Sequence, residues 1–268
     1  MQYIDWLRAQ KYRPRSIETL LSLKNKLFSY LEKEGLEENQ GSLQSFVVWL
    51  QNQGYSQNYQ SQLLWGLETY FTYLKKVRDI EGKLRIPKLK KKNNRRKALT
   101  DKEIKQIESW LQKSGDALDK LLWALFYGCG LRREEALRLR CGDIQAEAKL
   151  LIVSGVKGSG RRVLPLSEKQ LNWILAYENS ERPKPKQGFE NQLIIGKKGG
   201  SAKGVIAEKL KYWQEQTKLG SKLCWHVLRH SIATRLANKG LSPELISSFL
   251  GHRNMGSTSR YIHQVKNE

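Results

Sequence analysis

Apolar positions recur at helical intervals in three places before residue 82. Leu20, Leu23, Leu27, Tyr30 and Leu31 form the first stripe, at a three-and-four spacing that turns one face of a helix toward a core. Ser16 stands ahead of Ile17-Glu18-Thr19-Leu20 as an N-cap with an acid in the first turn, and Gly35 stops the run. Phe46, Val47, Trp49 and Leu50 make a second stripe ending before Gly54; Leu63, Leu64, Leu67, Tyr70, Phe71 and Leu74 make a third. Nothing in this stretch alternates with period two. Residues 1–82 are expected to form a small helical bundle.

The pattern changes twice afterwards. From Lys83 to Lys97 the chain carries Lys83, Arg85, Lys88, Lys90, Lys91, Lys92, Arg95, Arg96 and Lys97, with Pro87 and no acid. Such a block repels its own members and cannot bury itself, so residues 83–97 read as a basic linker, better suited to lie along phosphates than to fold. Periodicity resumes from 98. Thr100 with Glu103 three residues on is a capping box. Leu118, Leu121, Leu122, Leu125 and Phe126 form an apolar helix closed by Gly128 and Gly130. Leu150–Val153 and Arg162–Leu166 are β-type runs joined by a glycine-rich turn, a hairpin. Gln192–Ile195 is a short strand or a buried loop. Ser242-Pro243-Glu244 opens a last helix, which Gly251 ends. Residues 98–268 are therefore a second domain, mainly helical with a small antiparallel sheet, and the chain as a whole is α+β.

Charge alters this picture more than composition does. The chain of 268 residues has 48 Lys and Arg against 26 acids, a formal net charge of +22. Self-repulsion of that size opposes compaction, and a polyanion offsets it through counterion release. Ribosomal-type RNA binding, anionic lipid or bare solubility would account for the charge equally well. No run of eighteen apolar residues is present and the N-terminus has no basic leader followed by an apolar stretch, so neither a membrane span nor a secretion signal is expected. Cys129, Cys141 and Cys224 are too scattered for a zinc knuckle or a disulfide framework. The expected location is the cytoplasm, on the nucleoid.

Candidate chemistry lies in the second domain. Gly130-Leu131-Arg132-x-x-Glu135 comes first; His226-x-x-Arg229-His230, Leu250-Gly251-His252 and Tyr261 come near the end. Breaking a phosphodiester without metal or nucleotide requires a nucleophile, cationic donors for the non-bridging oxygens and an acid for the departing sugar oxygen. Tyrosine suits a bond that must be re-formed, since a phosphotyrosine ester preserves the energy of the linkage. Arginine's planar fork suits phosphate oxygens, and lysine donates a proton where its surroundings lower its pKa. Taken singly, each has a plainer reading: Arg132 as a helix-start arginine, Tyr261 as packing, Lys157 as part of a hairpin turn. His226 and His230 at i and i+4 have neither the third ligand nor the glutamate of a zinc site. The order and intervals of the whole set are what distinguish it.

That set resembles the tyrosine recombinases and integrases. Tyr127 through Leu137 is similar to the family's first arginine box; Val156 through Leu166 resembles the β-hairpin carrying its lysine; His226–His230 and Leu250 through Tyr261 resemble its second half. The resemblance runs in order over nearly the whole chain. It implies a SAM-like helical core-binding domain (1–82), a linker (83–97) and a tyrosine recombinase catalytic domain (98–268), an Xer-like layout. It implies that Tyr261 attacks the scissile phosphate, that Arg132 and Arg229 hold its oxygens, that Lys157 protonates the leaving 5′ oxygen, that His226 assists Tyr261 and that His252 hydrogen-bonds the phosphate. Glu135 is implied to orient this region. Lys88, Lys90, Lys91, Lys92, Arg95, Arg96 and Arg162 are expected to contact DNA. The implied activity is site-specific recombination of double-stranded DNA (integration, excision, inversion or dimer resolution) through a 3′-phosphotyrosine and a Holliday junction, in a tetramer on paired sites, with no metal, ATP or other cofactor. The rivals are a type IB topoisomerase, which usually has lysine where His226 stands, and a catalytically silent DNA-binding protein on the same scaffold. Two departures stand out: Gly160 replaces a second lysine that many relatives have, and seven residues come after Tyr261 where many relatives dock a longer tail on the neighbouring protomer.

Overall fold

In the computed structural model, α1 (Tyr3–Ala9) is a helix that the apolar periodicity does not announce, because seven residues make fewer than two turns. It forms because Tyr3, Trp6 and Leu7 have a surface to bury against. The Tyr3 and Trp6 rings meet Tyr73 at centroid separations of 5.0 and 5.8 Å. The structure describes residues 1–87, 97–156, 160–220 and 223–252, and the chain divides into two units, Met1–Asn94 and Arg95–Glu268.

In the first unit, α2 (Pro14–Lys33), α3 (Gln40–Asn52) and α4 (Gln57–Val77) come after α1. Pro14 occupies the first turn of α2 and Arg13 the cap, so the helix starts earlier than the expected Ser16 cap. The reason is that proline is preset for the first helical position and has no N–H to leave unpaired. Asn39 caps α3 reciprocally with Ser42: the Ser42 N–H donates to Asn39 Oδ1 at 3.0 Å and the Asn39 N–H to Ser42 Oγ at 3.1 Å. The three apolar stripes meet in one core, with Leu7, Leu20, Leu27, Leu43, Leu50, Leu63 and Leu74 almost wholly buried. Residues 83–87, read from composition as the start of the linker, are fastened to α3. The Gln44 side chain brackets the Arg85 backbone at 2.9 and 3.1 Å, and Leu84 and Ile86 pack on the core.

In the second unit, α5 (Asp101–Ser114) has the expected Thr100–Glu103 capping box. The apolar run from Ala117 is not one regular helix. It is α6 (Ala117–Trp123) continued by a π-turn over Ala124–Gly128. Such turns insert a residue and redirect the backbone beyond them, and here the chain then enters α7 (Arg133–Ala136). Strands β1 (Ile144–Gln145), β2 (Leu150–Val153) and β3 (Arg162–Pro165) form an antiparallel sheet in that order. Val153 pairs with Arg162 and Leu150 with Pro165, the expected hairpin. Gln192–Ile195 is a buried loop joined to Arg140 by one bridge at Gln192, and Leu193 donates to the Leu139 carbonyl at 2.8 Å. Helices α8 (Glu168–Ala176), α9 (Lys203–Thr217), α10 (Trp225–Asn238) and α11 (Pro243–Leu250) complete the unit. Phe126 stacks on Trp225 at 4.1 Å, and Trp213 meets Trp225 edge-on at 5.7 Å. Asp119, fully buried on α6, accepts from Trp213 Nε1 at 2.7 Å and pairs with Lys209 at 2.9 Å, tying α6 to α9.

Candidate active site

Helix α7 is short, but its first turn decides where Arg132 stands. Arg132 occupies the cap position, and its backbone N–H donates to Glu135 Oε2 at 2.8 Å. The same carboxylate receives Arg132 Nη1 on Oε1 at 2.7 Å, so one acid fixes both ends of the residue. Glu135 is 1% exposed. An ionised carboxyl so buried needs full hydrogen bonding, and it has it. Arg162 adds Nη1 to Oε1 at 3.1 Å and Nη2 to Oε2 at 2.9 Å, and Arg229 Nη1 lies 3.9 Å from Oε2. Burial by itself would push the Glu135 carboxyl up. The bonds from Arg162 and from the Arg132 N–H outweigh it and hold the carboxyl below its ordinary range.

The three arginines meet a second partner, the C-terminus of α11. The last carbonyls of a helix have no intrahelical donor and carry the negative end of the dipole. Here Phe249 O accepts Arg162 Nε at 2.9 Å, Leu250 O accepts Arg229 Nη2 at 2.6 Å and Gly251 O accepts Arg132 Nη2 at 2.9 Å. Arg229 Nη1 also donates to the Gly130 carbonyl. Glycine is required at both turns concerned. Gly130 has φ +59°, and a Cβ there would come within 2.8 Å of Leu250 Cδ2; Gly251 has φ +63°, ending α11 in the left-handed conformation. His252 comes next, its N–H bonded to Ser247 O at 3.0 Å.

The structure thus brings Arg132, Glu135, Arg229 and the backbone of His252 together from α7, α10 and α11. His226 lies exposed one helical turn before Arg229 on α10, and His230 one residue after Arg229 is half-buried. Burial lowers the His230 pKa, favouring the neutral ring. Arg162 departs from expectation. Read as a DNA contact, it is turned inward with 8% of its side chain exposed, because a buried carboxylate and an orphan carbonyl both lie within its reach. Arg229 is buried to the same degree, whereas a third of the Arg132 side chain is open. Among the described residues, the five N–H donors of that guanidinium meet three acceptors. Lys157, Tyr261 and Lys88, Lys90, Lys91, Lys92, Arg95 and Arg96 lie outside the described residues.

Sequence reasoning missed the α11 carbonyls as a partner for the arginines. The only available signal was Gly251, which marks a helix end without saying what would meet it. Among the described residues no three His, Cys, Asp or Glu stand together to hold a metal, and no helix is long and apolar enough to cross a membrane.

Comparison with known proteins places this arrangement. The phage integrase family model matches residues 97–268. The tyrosine recombinase XerA of Pyrococcus horikoshii is 32% identical over 235 residues, 87% of this chain and 79% of that protein. XerD of Proteus mirabilis is 30% identical over 230 residues, 82% of this chain and 72% of that protein. The fold is that of the XerH site-specific recombinase solved on palindromic difH substrate in a post-cleavage complex, with TM-score 0.74 at 20% identity over 94% of this chain and 77% of that one. A family match over most of the chain, together with relatives at this identity, settles kinship: the chain belongs to the phage integrase family and is a tyrosine-type site-specific DNA recombinase.

Proposed function

We propose that the helical bundle, with residues 83–87 fastened to it, grips duplex DNA, that the rest of the basic stretch to residue 97 connects it along the phosphates, and that residues 98–268 carry out strand cleavage. Tyr261 attacks the scissile phosphorus: its oxygen forms the new P–O bond, the bond to the 5′ oxygen breaks, and the 3′ end stays joined to the protein. Lys157 gives the leaving 5′ oxygen its proton, and His226 takes the proton of Tyr261. Arg132, a third of whose side chain is exposed, holds a non-bridging oxygen beside Gly251. Arg229, mostly buried, supplies charge close by, and His252 hydrogen-bonds the same phosphate. Attack by a 5′ hydroxyl from another strand reverses the step and completes exchange. Such exchange takes place in a tetramer on two sites, with the chain working in the cytoplasm on the nucleoid.

One observation carries this reading: two guanidiniums from distant segments converge on the turn that leads into His252. Double-stranded DNA as the partner is supported by the +22 charge and by the relative solved on its substrate. The test uses nicked duplexes from a randomised pool. Wild-type protein is expected to trap a duplex covalently, and sequencing the trapped end identifies the site. Tyr261→Phe is expected to leave no adduct while still binding; an adduct that persists refutes the assignment. Affinity is expected to drop by about 10³-fold or more between 50 and 200 mM salt, as several neutralised phosphates require.

A further inference from the structure

Arg162 opens β3, yet its side chain serves no surface. Its guanidinium forks onto both oxygens of Glu135, at 3.1 and 2.9 Å, while Nε reaches the Phe249 carbonyl at 2.9 Å. The acid it grips is the one that holds Arg132 by backbone and side chain, at 2.8 and 2.7 Å. The helix end it grips is the one whose next two carbonyls hold Arg229 and Arg132. Space is kept for this: a Cβ on Gly251 would lie 2.7 Å from Arg162 Nη1. In sequence β3 begins five residues after Lys157, so Arg162 opens the strand that comes after that lysine.

We propose that Arg162 is a positioning residue for strand cleavage: through Glu135 and the Phe249 carbonyl it sets Arg132 and the Gly251–His252 turn in register with the strand beyond Lys157. The inference rests on the recombinase reading. Lysine cannot replace it, because one ammonium is a point donor and does not span a carboxylate and a carbonyl in a fixed plane. A group that positions without touching DNA affects the rate at saturation and leaves binding alone, since misplacement by about 1 Å costs catalysis on the order of 100-fold.

The probe is the duplex captured by the wild-type protein from the randomised pool. Arg162→Lys is expected to bind it with unchanged affinity and salt slope and to form adduct about 10- to 100-fold more slowly in single turnover. Gly251→Ala, which keeps the Arg162 guanidinium but presses a Cβ on it and strains the left-handed helix end, is expected to show the same split, and the double variant to lose less than the two single losses combined. Wild-type cleavage by Arg162→Lys overturns the inference. So does a joint fall in affinity and salt slope, which marks a DNA contact, or loss of folding in both single variants, which marks a plain structural strut. A wild-type chain that captures no duplex refutes the recombinase reading before any variant is made, and this inference with it.

Discussion

The two units bury different things. Among the described residues, the first buries only Ser42 and Thr69 beside its apolar core, whereas the second buries Asp119, Glu135 and Arg229. Ion pairs of the first unit are peripheral: Arg78, which meets Glu38 at 2.8 Å, has 55% of its side chain exposed. In the second, beside exposed pairs such as Lys149 with Glu168, three arginines converge on Glu135, a carboxylate with none of its side chain exposed. Buried charge contributes little net stability, because desolvation offsets the attraction. What it contributes is a fixed direction for each donor. The interior of the bundle is almost wholly apolar, whereas the second unit gives part of its interior to charged groups that hold arginines in place.

Removing Glu135 tests that contrast most severely. Glu135→Ala leaves guanidiniums without their shared partner and is expected to cost the second unit about 3–5 kcal/mol. Hydrogen exchange at amides of each unit reads this separately, and a loss below about 1 kcal/mol erases the distinction. Acid sharpens the same point. A carboxyl held below its ordinary pKa when folded stabilises the protein above its unfolded pKa, and that stability goes as pH falls through the folded value. The second unit is therefore expected to lose stability on acidification below the usual carboxylate range, with Glu135→Gln flattening the dependence. In the bundle, Leu43→Ala is expected to cost about 3 kcal/mol by leaving a cavity, measured by urea unfolding. A cap is a smaller matter: Thr100→Ala should cost about 1 kcal/mol. Smallest of all, Arg78→Gln should change stability by less than about 1 kcal/mol, as an exposed pair does.

Much of this was legible in sequence, for local reasons. The stripes through Leu20–Leu31 and Leu63–Leu74 are helices because the 3.6 period needs no distant partner to be seen. The Thr100–Glu103 box and Ser242-Pro243 open helices where expected, since caps act within one turn. Where a distant partner decides, the reading stopped short. Helix α1 exists through its contact with α4, and residues 83–87 look like free basic chain until Gln44 is seen beside Arg85. Arg162 shows this most clearly. Beside Arg161 and a glycine-rich turn it looks like a phosphate contact, and only its acceptors show that it faces inward.

Sequence alone determined which candidate side chains exist, their order, and the helices and strand pair of the described residues, because periodicity, caps and turn residues act over a few positions. Tertiary structure decided which acceptor each arginine meets. A carboxylate on α7 and a helix end 87 residues beyond Arg162 are assigned to it by strand register and helix packing, and neither leaves a mark on the residues beside it.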